Sequence, residues 1–137
     1  MGAVTWSNDM HIGVKEIDEQ HEHLTGLINS LYYAYMEGKE REVLSKIIHE
    51  VNDYAHYHFQ TEEKYMDKVA DVYPFTEGHM EQHMAFFSKV IDFLFQYLDN
   101  DTEMTPELLD FLTDWWTKHI MGVDKKLGAA IQEKGLA

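Results

Sequence analysis

Two four-residue spacings in the middle of the chain could do metal chemistry: His58-x-x-x-Glu62 and His79-x-x-x-His83. In an α-helix, residues i and i+4 stand one above the other on the same face. Each pair would therefore aim two ligand-type side chains in one direction. Imidazole and carboxylate are natural ligands for divalent first-row metals. Between the pairs lies Asp71-Val72-Tyr73-Pro74, a break that would fold the two helices antiparallel.

The elements that must position these pairs follow from hydrophobic periodicity. An irregular arm, about residues 1–16, holds Trp6 and Ile12 as packing residues, and Gly13 marks a turn. Helix A is expected from near Asp18, an acceptable N-cap, with the stripe Ile17, His21, Leu24, Ile28, Leu31 and Tyr35. Gly38 ends it. Helix B spans about 40–68, with Leu44, Ile48, Val51, Ala55, His58, Glu62 and Tyr65 on one face. Helix C starts after Pro74 and runs to about Leu98, showing His79, His83, Phe86, Val90, Phe93 and Tyr97. An acidic loop is expected over 99–105. Helix D begins with Pro106 in its first turn and shows Leu108, Leu112, Trp115 and His119. A short last helix covers about 125–133. Four amphipathic helices with short connections predict an all-α fold. Its natural form is an up-down-up-down antiparallel four-helix bundle, with the irregular N-terminal arm and the short C-terminal helix. Residues 1–137 read as a single domain.

The nine histidines then sort themselves. His21, His58, His79, His83 and His119 fall on apolar stripes, whereas His23, His49 and His56 each lie two residues from one, about 200° away and facing water. His11 is in the arm. A lone core histidine is usually a satisfied structural residue, but five with a carboxylate at Glu62 are different. Each buried polar group left without a partner costs about 1–3 kcal/mol, and a bound metal removes that cost. Asp124, five residues after His119, is out of phase on a continuous α-helix. The spacing predicts that helix D ends or unwinds near Met121–Gly122. Asp124 then either turns back to the metal or caps the last short helix.

Bulk composition narrows the function classes. The net charge of −14 disfavours nucleic acid and anionic membrane surfaces, which need clustered Lys and Arg. The acid excess serves solubility, or attracts a metal or a cationic partner. No run of about 20 apolar residues is present to insert in a membrane, and no signal peptide is visible. The absence of cysteine excludes disulfides, thiolate metal sites and a cysteine nucleophile. A cytoplasmic setting is the default, and Met1-Gly2 is a candidate expression start.

The full set, His21, His58-Phe59-x-x-Glu62, His79-x-x-x-His83 and His119-Ile120-x-x-x-Asp124, resembles the hemerythrin family over nearly the whole chain. Ile17-Asp18-Glu19-Gln20-His21 looks like the family's first-ligand motif, and Glu62-Glu63 and Met66 look typical of its bacterial members. The resemblance implies two iron ions, Fe2+ or Fe3+, with a bridging oxo or hydroxo group. One iron would take His79, His83 and His119, the other His21 and His58, with Glu62 and Asp124 bridging both. This makes Asp124 a ligand. Eleven of twelve octahedral positions are then filled, and the vacancy on the two-histidine iron takes O2. By the same resemblance, Phe59, Trp115, Trp116 and Ile120 wall the O2 pocket. Trp116 departs from the pattern, since many relatives carry leucine there. The indole either reshapes access or packs in the core or at the surface. The implied function is reversible O2 binding without catalysis, as an oxygen- or redox-sensing domain linked to signalling domains of the same chain, as in chemotaxis receptors. Stand-alone O2 carriage or storage is the alternative, and a di-iron oxidase or peroxidase a more remote one.

Overall fold

The computed structural model describes residues 4–98 and 104–137. Five α-helices follow one another: α1 Lys15–Met36, α2 Glu40–Lys68, α3 Thr76–Leu98, α4 Met104–Lys118 and α5 Lys125–Glu133. A short 3-10 turn, Asn8–Met10, precedes α1, and a π-helical segment, His119–Asp124, joins α4 to α5. Helix α1 packs on α2, α2 on α3, α3 on α4 and α4 back on α1, which closes the expected four-helix ring. No strand occurs among the described residues.

The bounds of α2 and α5 match the sequence expectation. Helix α1 starts earlier, at Lys15, so Asp18 is not its N-cap. Its carboxylate instead accepts the backbone N–H groups of Ile12 at 2.7 Å and Gly13 at 3.2 Å, holding the arm's turn against the helix it precedes. At the other end of α1 the Lys39 N–H closes on Ala34 O at 2.8 Å. That closure needs a left-handed residue, and Gly38 supplies it with φ 71°. Of the acidic loop expected over 99–105, residues 99–103 lie outside the described residues, and Met104 and Thr105 already belong to α4.

The stripes face inward as their periodicity requires, with two adjustments. Tyr35, Tyr65 and Tyr97 are half-buried, and on α4 it is Trp116 that is fully buried while Trp115 is half-buried. The apolar side chains form two clusters. The larger contains Leu24, Ile28, Ala55, Phe59, Phe86, Val90, Leu112, Trp116 and Ile120. The smaller contains Ile12, Val14, Ile17, Met66, Val69, Tyr73, Leu127 and Ile131, drawn from the arm, the start of α1, the end of α2, the α2–α3 turn and α5. Burying each Leu, Ile or Phe side chain is worth about 1.5–3 kcal/mol. Along α1 and α2 the stripe passes from one cluster to the other through histidine or carboxylate: Ile17, His21, Leu24 on α1, and Phe59, Glu62, Met66 on α2. A polar layer therefore lies between two apolar ones. The arm is fastened beside it, because Gly128 of α5 sits against the Ile12 backbone, where an added Cβ would collide with the Ile12 carbonyl.

Candidate metal centre

All seven residues singled out from the sequence meet in this polar layer. His21, Glu62, His58 and Asp124 are fully buried, and His79, His83 and His119 are no more than 3% exposed. His23, His49, His56 and His11 are exposed, as their phase requires. Helices α2 and α3 deliver their donors by simple i, i+4 register, and α1 supplies His21 from its buried stripe. Asp124 arrives differently. The α-helix ends at Lys118 and the chain is under-wound into a π turn across Met121–Gly122 without leaving the helical path, so the Lys125 N–H reaches back five residues to Ile120 O. This wider π turn stacks residues five apart, as an α turn stacks residues four apart. His119 Nε2 and Asp124 Oδ1 consequently stand 3.1 Å apart. Asp124 makes no side-chain capping bond to α5, so the cap reading is overturned. Gly122 is exposed, lacks a positive φ and has open space where a Cβ would go, so it is not a breaking point.

The donors divide into two groups. Glu62, His79, His83, His119 and Asp124 form one, and His21, His58, Glu62 and Asp124 the other, with the donor atoms of each group within 4.8 Å of one another. The carboxylates belong to both. Asp124 turns Oδ2 to His21 Nε2 at 3.0 Å and Oδ1 to His79 and His119 Nε2 at 2.9 and 3.1 Å. Glu62 turns Oε1 to His58 Nε2 at 2.6 Å and Oε2 to His79 Nε2 at 3.2 Å. Two atoms about 2.1 Å from one ion and at right angles stand about 3 Å apart, so these spacings suit two shared ions.

Bonding inside the layer is incomplete without a cation. Among the described residues, eleven buried side-chain nitrogen and oxygen atoms lack a hydrogen-bond partner, and all belong to these seven side chains. At about 1–3 kcal/mol each, a handful would cancel the stability of a typical domain, about 5–15 kcal/mol. A pair of metal ions meets nine of them, the five Nε2 atoms and the four carboxylate oxygens, and leaves the outward Nδ1 atoms of His21 and His83. The residues present therefore fit the di-metal centre that their sequence pattern implies.

The comparisons with known proteins agree with this geometry. The family described as Hemerythrin HHE cation binding domain matches residues 12–131. The chain belongs to the hemerythrin family. It is 30% identical over 125 residues to a bacteriohemerythrin of Stenotrophomonas maltophilia, covering 91% of this chain and 79% of that protein. A bacteriohemerythrin of Clostridium acetobutylicum is 29% identical, with 88% of this chain and 95% of that one covered. A hemerythrin-like protein of Naegleria gruberi is 29% identical over 88% of this chain and 87% of its own. The family's cofactor is a di-iron centre, and the buried cluster has the donors to hold one.

Around this hemerythrin centre the outer imidazole nitrogens are held by side chains that the sequence did not single out. With Nε2 turned inward, three of the five Nδ1–H groups donate outward. His58 donates to Gln20 Oε1, His119 to Gln82 Oε1 and His79 to the Tyr73 phenol oxygen, each at 2.8 Å. Gln20 is itself fixed by donating to Thr61 Oγ1 at 3.2 Å. Gln20 and Gln82 each precede a ligand-type histidine in the sequence, which was the available signal.

The four proposed pocket residues separate in space. Trp116 lies edge-on to His21 at 5.3 Å and His58 at 5.8 Å, on the two-histidine side, and its Nε1–H donates to Thr25 Oγ1 at 2.7 Å. Phe59 stacks on His83 at 3.8 Å and also touches His58 at 5.6 Å. Trp115 stacks on His119 at 4.4 Å, on the three-histidine side. Ile120 is fully buried next to them in the chain.

Electrostatics match a cation site. Burial opposes charge on His21 and His79, but contacts with Asp124 and Glu62 outweigh it and raise both to about 9. Burial dominates at His83, lowering it to about 3, and at His58, which is lowered too. Burial also opposes charge on Glu62 and Asp124, yet both are held below the usual carboxylate range by the facing histidines. Burial and the same two carboxylates push the Tyr73 phenol up, so it stays protonated.

Proposed function

We propose that the chain binds O2 reversibly at a di-iron centre. In this reading His21 and His58 serve one iron, His79, His83 and His119 the other, and Glu62 and Asp124 both. The observation that carries it is the set of partnerless buried donor atoms, confined to these seven side chains and divided between two groups that share two carboxylates. The iron pair, when bound, supplies the two electrons that a reversible association with O2 requires. The protein's own residues position and protect. Gln20, Gln82 and Tyr73 fix the imidazole tautomers. Trp116 walls the two-histidine side, Phe59 lies between His58 and His83, and with the buried Ile120 they exclude water. The donor set leaves room for a diatomic ligand and not for an organic substrate on the metals, which supports a binder rather than an enzyme.

The finer role we assign is oxygen or redox sensing within a signalling protein. The path from Asp124 supports it. Asp124 ends the π segment, α5 follows at once, and Gly128 of α5 bears on Ile12 of the arm. Carriage or storage is the second reading, favoured by relatives named bacteriohemerythrin that the chain spans over 78% to 98% of their length. Visible spectra of the anaerobically reduced protein, recorded before air, after air and after degassing, test the O2 reading. A band that comes and goes supports it, and a protein colourless throughout refutes it. Hydrogen exchange in the arm separates the roles: sensing requires protection to change with O2, and carriage does not.

A further inference from the structure

A cleft of about 420 Å³ opens beside the three-histidine group, between the α2–α3 turn, the first turns of α3 and the π segment. That volume falls in the range of small-molecule pockets, roughly 300–1,000 Å³. Tyr73 and His79 are buried and form its depth, while Phe75, Gly78, Gln82 and Lys126 are exposed and form its rim. Tyr73 and Gln82 are the side chains that hold His79 and His119. Two of the three imidazoles on this side are therefore one hydrogen bond from a solvent-open cleft. The outer partner of His58, Gln20, is by contrast only 4% exposed.

We propose that this cleft is where a small, neutral, planar aromatic two-electron donor docks to reduce the oxidised centre. The inference rests on the di-iron reading above. Phe75, 49% exposed, offers an aromatic stacking surface at the rim, with Lys126 Nζ 4.9 Å from its ring centroid. Glu77 and Glu81 outnumber Lys126 in the cleft lining, and the chain carries −14 overall, so a phosphate-bearing donor is repelled and a neutral one is not. A reduced isoalloxazine in its neutral, N1-protonated form has the required chemistry, so the assay is run at mildly acidic pH. One dihydroflavin gives up two electrons and two protons and becomes oxidised flavin. Each of two ferric ions takes one electron and becomes ferrous, and the protons pass to water or to the bridging oxygen. The electrons cross from the ring through the Tyr73–His79 contact of 2.8 Å and the imidazole.

Gly78 provides a clean test. It lines the cleft, and nothing lies within 4 Å of a Cβ built there, so Gly78→Gln fills the cleft without disturbing the helix. The oxidised, iron-loaded protein is mixed anaerobically with dihydroriboflavin, and bleaching of its visible band is followed. The native rate is expected to saturate with donor. Phe75→Ala should raise the half-saturation concentration about fivefold, the scale of one lost aromatic contact. Gly78→Gln should abolish saturation, while reduction by dithionite stays at the native rate. Dihydro-FMN should react more slowly than dihydroriboflavin. A native rate linear in donor, or Gly78→Gln matching native saturation, overturns the proposal. Faster reaction with dihydro-FMN overturns the charge argument on which the donor class depends. Quenching of oxidised riboflavin fluorescence by the protein loaded with redox-inert zinc, lost in Gly78→Gln, reads the cleft without iron or O2. Saturable reduction in a protein that fails to bind O2 reversibly would retain the cleft and reject the O2 reading.

Discussion

Trp116→Leu separates a pocket wall from an ordinary core residue, and the structure sets the size of the effect. The indole is fully buried, donates to Thr25 Oγ1 at 2.7 Å and borders His21 and His58. Loss of that hydrogen bond costs about 1 kcal/mol. Shrinking the side chain leaves a cavity costing about 1–3 kcal/mol more, below the range for complete truncation to alanine. The sum, about 2–4 kcal/mol, corresponds to a fall in Tm of about 10 °C for a chain of this size. The same cavity opens toward the two-histidine side, so the O2 on-rate and the autoxidation rate should both rise. Thermal unfolding and stopped-flow O2 mixing measure the two effects on one preparation. Trp116→Phe, which loses the hydrogen bond but less volume, should lie between. A Tm within about 2 °C of native together with unchanged O2 kinetics would refute the placement of Trp116 as a wall.

His58→Ala should lose or destabilise iron, whereas His56→Ala should keep it, because His56 is exposed and stacked on Phe87 at 3.8 Å. Metal analysis after desalting decides, and equal behaviour would contradict the face assignment. Gln20→Leu removes the acceptor for His58 and should weaken iron binding roughly 10–100-fold in chelator competition. Gly122→Ala should keep iron and leave the Tm unchanged or raised, since alanine is up to about 1 kcal/mol better than glycine within a helix. Loss of iron in that variant would revive a break at this position. Gly128→Ala should lower stability by about 1–3 kcal/mol, the scale of overpacking, and expose the arm to proteolysis, because its Cβ meets the Ile12 carbonyl.

The helices and most of the site were legible because both are written in one periodicity. His21, His58, Glu62, His79 and His83 each occupy a stripe position where an apolar residue would otherwise stand, so burial follows from phase alone. Asp124 was harder. Its spacing from His119 is wrong for an α-helix, and the sequence indicated that the helix ends or unwinds there without showing that it does so as a wider helical turn. The backbone bond pattern that makes five residues stack leaves no mark on composition, and Gly122 drew attention for a role it does not have. Asp18 was misread for a related reason: a capping-type residue inside the first turn can hold the segment before the helix rather than begin it. Gln20 and Gln82 act across helices on histidines 38 and 37 residues away. Such partnerships depend on helix rotation and side-chain reach, which one sequence does not fix. Trp115 and Trp116, adjacent in the chain, went to opposite sides of the centre for the same reason.

The most direct test of the central claim is an anomalous-scattering map at the iron edge from crystals of the iron-loaded protein. The account predicts two peaks, about 3.5–4 Å apart. One should lie about 2.0–2.2 Å from the Nε2 atoms of His21 and His58, the other at that distance from those of His79, His83 and His119. Glu62 and Asp124 should reach both. A single peak, or peaks away from these five nitrogens, would contradict it.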